Sequence, residues 1–445
     1  HQLLLHLFAD DHSTITMSNE IIAKEGTPLL PTDQHDGHQD SNSQQQQQQQ
    51  QPQGKATVWE TTLNLMKTCM GTGTLALPFA AQQGGLLLHT LGLLGIAGWN
   101  LYSVHRLCQS LQYLKANRAG SGTAAAELAP PSGTSTFGKV AWFAFGHHGV
   151  HGLDFALVLL FFGIIMAYED AVLGFLQDTP LNTGFLVVDA MLIALVVGTL
   201  SLVPDMGYLA KASAFGLSVL VFTFTAIAFY APPIDASHAS RLSWWPQDGL
   251  SGVSHWFGCV VFGFGVVPLT YNYYESMASP QYLRQATAAA LLGVAVCYIL
   301  IGVGLLWLYF PVEGDILQQL PANGEIVPLI VRCSMIVVVI LTCPLLVLPC
   351  GLILEGKLFS SPTSKMVQAG VRYGICITCA IISVGVPGFV YVLSFVGCFS
   401  VAMVGFVIPP LLHMTLVLQY HHDGSRRLDL VLDGIMLVWG LFATV

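Results

Sequence analysis

Two hydrophobic segments, each long enough to cross a bilayer, are interrupted near their centres by glycines and then a proline. The first carries GTGTLALP, Gly71 to Pro78; the second carries FGFGVVP, Phe262 to Pro268. Lipid offers a backbone no hydrogen-bond partner. An interrupted helix is therefore tolerated only where protein or a cavity satisfies the groups it frees. Two interrupted spans at corresponding places in the two halves of a chain are the arrangement by which secondary carriers build a binding site at the bilayer midplane.

The rest of the chain supports a membrane reading. Charged residues make up 9% and hydrophobic residues 53%, against ~25% charged in soluble domains. Eleven spans are predicted, at roughly 58–81, 85–112, 153–176, 184–203, 208–231, 253–275, 286–310, 326–354, 369–386, 391–418 and 430–445. With the amino terminus in the cytoplasm and alternating sides, the cytoplasmic segments hold Lys24, Lys55, Arg106, Lys115, Arg118, Lys139, Lys211, Arg284, Lys357, Lys365, Arg372, Arg426 and Arg427. The opposite side holds only Arg241, and Lys67 and Arg332 fall within spans. This asymmetry follows the positive-inside rule, and one miscounted span would invert every later loop.

Spans one and six run in opposite directions, as an inverted repeat of five spans requires. At 1.5 Å per residue, Gly71 lies ~20 Å from Val58 and Gly263 ~15 Å from Val253, both near the middle of a ~30 Å core. The fold class expected is all-α and integral to the membrane, with a 5+5 inverted repeat, broken helices one and six, and an eleventh span. Residues 57–445 form this domain, and its last span reads as truncated at Val445. Residues 1–56 form a polar cytoplasmic tail, with eight glutamines from Gln44 to Gln51, too polar to fold alone. The chain begins on His1, and Met17 is a candidate start. Leu3 to Phe8 is too short for a secretory signal.

A helix break exposes N–H groups on one side and C=O groups on the other, which suit an anion and a cation respectively. A zwitterionic amino acid carries one of each. Gly71, Thr72 and Gly73 can approach a carboxylate closely. Phe262, Gly263, Phe264 and Gly265 can offer carbonyls to an ammonium and rings to a side chain. Tyr168 in span three is a further candidate for the pocket wall, although any one aromatic in a core helix also reads as packing. Small-residue helix packing is the plainer reading of the glycines; two breaks at related positions, each followed by proline, favour binding.

Ionisable groups inside a bilayer are costly and mark function. Glu169 and Asp170 lie ~24 Å from the start of span three, and Arg332 ~9 Å from the start of span eight. These depths match, so Arg332 is expected to pair with Glu169 or Asp170, either as a proton-coupling device or as a static brace. His147, His148, His151 and Asp154 resemble a metal cluster by composition, but no metal site is predicted at this turn. Cys376 and Cys379 form a CxxC inside an apolar helix, which reads as packing. The ten cysteines lie in or beside apolar segments and predict no disulfide framework. HExxH, GxxxxGK[ST] and GxSxG patterns do not occur, so no enzyme and no cofactor are expected.

NLMKTCMGTGTLALPFAAQQGG (Asn64 to Gly85) resembles the first span of the amino acid/auxin permease family. FGKVAWFAFG (Phe137 to Gly146), the region of Tyr168, VVFGFGVVPLTYNYYESMASP (Val260 to Pro280), ILTCPLLVLP (Ile340 to Pro349) and VLSFVGCFSVAMVGFVIPPLLHM (Val392 to Met414) are similar to that family in the same order. The resemblance implies a leucine-transporter type of fold and transport of amino acids driven by protons or sodium. Sodium-coupled members carry asparagine where this chain has Lys67, and proton-coupled members carry lysine. Thr342 matches a motif tied to sodium. Proton coupling is the expectation; sodium coupling, or a sensor with a transporter fold, is the alternative. Glu25, Leu29 and Leu30 fit an acidic dileucine pattern, which implies a sorting adaptor and a vacuolar, lysosomal or endosomal membrane, with the plasma membrane as the alternative.

Overall fold

The computed structural model describes residues 54–444, apart from 121–129, 131–133, 204–205, 234–241, 313, 322–324, 360–363, 387 and 421–426. The glutamine run and the dileucine pattern lie outside the described residues. The described chain is helical, with one isolated parallel bridge between Ala56 and Met277.

The first helix, α1 (Val58–Cys69), starts at a capping box. Thr57 Oγ1 accepts from the Glu60 N–H at 3.2 Å, and Glu60 Oε2 accepts from the Thr57 N–H at 2.8 Å. The reciprocal pair satisfies two donors that a helix start leaves open. The Ala56 bridge ties this start to the far end of the sixth predicted span, through Ala56 N–H to Ser276 O and Ala278 N–H to Ala56 O, both 3.0 Å. Gly54 permits it, since a Cβ there would stand 2.3 Å from the Ser276 carbonyl carbon.

A 3₁₀ turn, Thr72–Ala76, follows α1 and leads into α2 (Leu77–Gly120). Gly85 kinks α2 at φ +74°, where Trp245 backbone atoms would lie within 2.6–2.8 Å of a Cβ. Only glycine meets both demands. Next come α3 (Thr136–Gln177), α4 (Leu186–Leu200), α5 (Met206–Phe229) and α6 (Gly249–Gly263). After α6 a 3₁₀ turn at Val267–Leu269 leads into α7 (Thr270–Ser276). The second half holds α8 (Leu283–Tyr309), α9 (Ile326–Thr342), α10 (Pro344–Leu358), α11 (Lys365–Gly385) and α12 (Phe389–Val396). Two π-helical stretches, Gly397–Val401 and Met403–Val407, then carry the chain into α13 (Ile408–Tyr420), and α14 (Arg427–Ala443) closes the described fold.

Among the described residues, seven helical stretches are long and apolar enough to cross a membrane. Eleven spans were expected from the sequence. The first two run together from Thr72 to Ala116, without α1. The fourth and fifth fall on shorter apolar stretches, Leu186–Leu200 and Gly216–Phe229. The eleventh falls on α14, which carries Asp429 and Asp433. The protein is a multi-pass integral membrane protein.

Helices pack in lipid mainly by close van der Waals fit, which small residues permit. The tightest crossing joins α6 to the first π stretch. A Cβ on Gly258 would lie 2.0 Å from Ser394 O, and one on Gly397 would lie 1.9 Å from Gly258 O. Backbone meets backbone there.

Candidate functional site

A cavity of about 1250 Å³ begins at the two helix breaks and runs to one end of the molecule. Its inner wall holds Cys69, Met70, Gly71, Thr72 and Gly73 from the first break and Phe262, Gly263 and Gly265 from the second. Tyr168 of α3 and Val401 of the π stretch complete that region. At its open end stand Thr136 and His151 of α3, Glu275 of α7 and Lys357 of α10.

The first break is a true change of conformation. Gly71 is extended (φ −114°, ψ −159°), and the 3₁₀ turn starts at Thr72. The N–H groups of Thr72 and Gly73 open that turn and lack acceptors within it. Thr72 Oγ1 is buried, with the Tyr168 hydroxyl beside it. A Cβ on Gly71 would meet only the Tyr168 hydroxyl, at 3.8 Å; one on Gly73 would press on the Phe262 ring at 3.1 Å. The two breaks thus face each other.

At the second break the α6 carbonyl end turns toward the same space. Phe264 N–H is shared between Val260 O and Val261 O at 3.2 and 3.1 Å, and Gly265 N–H reaches Phe262 O at 3.3 Å. Lys67 sits in the last turn of α1, half-buried, and lines the cavity. A cation there complements the negative end of the helix dipole. Thr342, the last residue of α9, also lines the cavity and donates its hydroxyl to Val338 O at 2.7 Å.

Toward the open end, Thr68 Oγ1 and Tyr273 OH are 2.6 Å apart and join α1 to α7. The Thr136 hydroxyl meets Glu275, joining α3 to α7. Lys357 Nζ lies 2.8 Å from Asp154 Oδ2 and contacts His151 Nδ1, while His151 and His147 stand 2.7 Å apart through their Nε2 atoms. The histidines therefore form a chain ended by a lysine. Among the described residues no group of three His, Cys, Asp or Glu is placed to hold a metal.

The segment after α8 is buried against the helices and does not line the cavity. Val312, Ile316, Leu317 and Leu320 are all buried. Gln82 grips this segment from α2, donating to Val312 O at 3.0 Å and accepting from Val312 N–H at 2.7 Å. Arg332 holds it from α9. Its guanidinium donates to Leu320 O at 2.8 Å, Pro321 O at 3.0 Å and Leu317 O at 3.4 Å.

This corrects the expected Arg332 pairing. Its carboxylate partner is Asp178, at 3.3 Å, and neither Glu169 nor Asp170. The depths matched, but the segment after α8 folds back and supplies carbonyls nearer than either carboxylate. Asp170 accepts from Ser383 Oγ at 3.2 Å, joining α3 to α11. Glu169 is buried, and both carboxylate oxygens lack a hydrogen-bond partner. Glu169, Asp170 and Arg332 do not line the cavity. Phe264, expected to face the substrate, is fully buried and packs on Tyr298 with ring centroids 5.2 Å apart. The chain leaves helical phase at this break, which turns the ring away.

Sequence reasoning missed a buried charge cluster. Arg106 of α2 pairs with Asp433 at 2.9 Å and Asp429 at 3.0 Å, both on α14. Asp433 also accepts from Tyr102 OH at 2.6 Å and faces His413 Nδ1 of α13 at 2.6 Å. Arg106 was counted as a cytoplasmic loop charge, yet it is buried in this pairing. Two aspartates four residues apart in an apolar segment were the available signal. Cys376 and Cys379 are free and buried.

The fold and cavity define a membrane protein with an internal cavity lined by both helix breaks. Residues 54–445 match the model of the transmembrane amino acid transporter protein family, and the chain belongs to it. It is 23% identical to the sodium-coupled neutral amino acid symporter 2 of Danio rerio, over 86% of this chain and 80% of that one. It is 23% identical to the amino acid transporter ANT1 of Arabidopsis thaliana, over 88% of this chain and 93% of that one. It is 29% identical to the human sodium-coupled neutral amino acid transporter 4 over a shorter stretch, 40% of this chain and 31% of that one. The family and these relatives are transporters, not enzymes.

Proposed function

We propose that this chain carries small amino acids across a membrane by alternating access and couples their movement to protons. One observation carries this reading: a single cavity is bounded by both helix breaks. The Thr72 and Gly73 N–H groups receive the substrate carboxylate at the positive end of a helical turn. The carbonyls of Phe262 to Gly265 receive its ammonium, and Tyr168 covers the site.

In this reading the helices form two inverted repeats of five spans with an eleventh added. The cavity opens to the cytoplasm, since Lys139, Lys357 and Lys365 sit at helix ends on its open side, as the positive-inside rule requires. Lys67 supplies a fixed positive charge at the carbonyl end of α1, where a coupled metal cation would otherwise stand. Glu169, buried without a partner, carries the proton.

Sodium coupling is the second reading. Thr342 lines the same cavity, and two of the relatives are named as sodium-coupled. Uptake of labelled amino acids into proteoliposomes, under an imposed proton gradient with and without sodium, separates the two. Accumulation on the proton gradient alone supports the first reading, and a strict sodium requirement replaces it with the second. Saturable binding without uptake refutes transport and makes the chain a sensor.

A further inference from the structure

Tyr298 of α8 is fully buried, and its hydroxyl reaches both helix breaks. It lies 2.6 Å from Cys69 O, at the carbonyl end of α1, and 3.0 Å from Gly263 O, at the carbonyl end of α6. Both residues line the cavity, with Tyr298 behind them. Gly263 makes the approach possible, since a Cβ would stand 2.9 Å from Tyr298 Cε2 and 3.1 Å from its oxygen. The buried Phe264 ring packs against the tyrosine and fixes its direction.

A hydroxyl has one proton to donate. The shorter distance assigns it mainly to Cys69 O, which already accepts from the Gly71 N–H at 2.9 Å. Gly263 O is left as the less well-served acceptor, at the negative end of a helix and on the cavity wall. An ammonium in the cavity supplies the donor that Gly263 O lacks, and a charge-assisted bond is stronger than a neutral one.

We propose that Tyr298 is the positioning residue for substrate recognition: its single hydroxyl proton holds the two breaks in register and leaves the Gly263 carbonyl to the substrate ammonium. This rests on the amino acid transport reading, but concerns binding and not the coupling ion. No side chain of the site needs to carry a negative charge, because the two helix ends supply the attraction.

The test is Y298F, which keeps the ring and removes the hydroxyl. Binding of labelled glycine, alanine, proline and glutamine to purified protein is measured beside uptake. The expected result is a rise of about tenfold in Kd for whichever of these the wild type binds, equivalent to ~1.4 kcal/mol. KM should rise with it, with a smaller change in kcat. Y309F is the control, because Tyr309 makes a comparable buried bond to Ile227 O at 2.5 Å, away from the cavity. It should lower thermal stability and leave Kd unchanged. An unchanged Kd in Y298F, or equal loss of affinity in Y298F and Y309F, overturns the proposal. Binding without uptake in the wild type would refute the carrier reading, and the Kd comparison would still decide this one.

Discussion

Replacing Arg332 with methionine should loosen the buried segment after α8. The side chain is buried, and its two best hydrogen bonds, at 2.8 and 3.0 Å, hold the carbonyls of Leu320 and Pro321. Bonds from a charged donor contribute ~1.5–3 kcal/mol each. The third, at 3.4 Å, adds little. The Asp178 side chain is 39% exposed, so that ion pair adds only ~0–1 kcal/mol. Methionine keeps an apolar stem in place, so the expected loss for R332M is roughly 3–5 kcal/mol, most of it from the carbonyls. D178N should lose under ~1 kcal/mol. Thermal unfolding in detergent should show a fall of roughly 5 °C or more for R332M and little change for D178N. Hydrogen exchange of the Val312–Leu320 segment should rise in R332M alone. Equal effects in the two variants would mean that the ion pair, and not the carbonyl bonds, holds this segment.

A methyl group at Gly397 would meet the Gly258 carbonyl at 1.9 Å, and no rotamer can relieve a backbone contact. G397A should therefore lose ~3 kcal/mol or more, while G174A, whose new atom meets nothing within 4 Å, should unfold like the wild type; detergent unfolding compares them. Burial pushes the Asp315 carboxyl up to about 6, against opposing hydrogen bonds from Leu317 and Gln318. Since the folded state holds this proton more tightly than the unfolded chain does, the stabilisation is complete below about pH 4 and is lost as pH rises through about 6. D315N should flatten the unfolding midpoint over that window, and an unchanged slope would exclude Asp315 as its source. E169Q removes a buried ionisable group that has no hydrogen-bond partner, so the protein should stay folded while the pH dependence of uptake disappears. A pH profile identical to the wild type would end the proton role of Glu169.

The sequence made the two helix breaks readable because glycine, glycine and proline act on the backbone of their own segment. Gly71, Thr72, Gly73, Phe262, Gly263, Gly265, Tyr168, Lys67 and Thr342 meet at one cavity. What failed was direction. Helical phase is undefined across a break, so the facing of Phe264 could not be read. Depth along a span could not name the partner of Arg332, because a folded-back loop competes for it with backbone carbonyls. Tyr298 is one tyrosine in an apolar run, and nothing local separates it from packing. The Arg106, Asp433 and His413 cluster joins residues far apart in the chain, and a tally of charges by side treats Arg106 as if it faced solvent.

The crossing of Gly258 and Gly397 also bears on how the molecule can move. Side chains between helices act as springs, because they change rotamer and let the helices slide. Here the glycine backbones leave no room for a side chain between them, and Ser394 and Cys398 bond to the α6 carbonyls of His255 and Ser254 beside the contact. We infer that such a contact, with its flanking bonds, acts as a bearing that limits sliding more than rotation. On the proposed alternating-access reading, the motion that seals one end of the cavity and exposes the other would turn about this point. Spin labels flanking Gly258 and Gly397 should keep a nearly constant distance when substrate is added, while labels at Asn64 and Lys357 should not. A large change at the glycines would show that the helices part there.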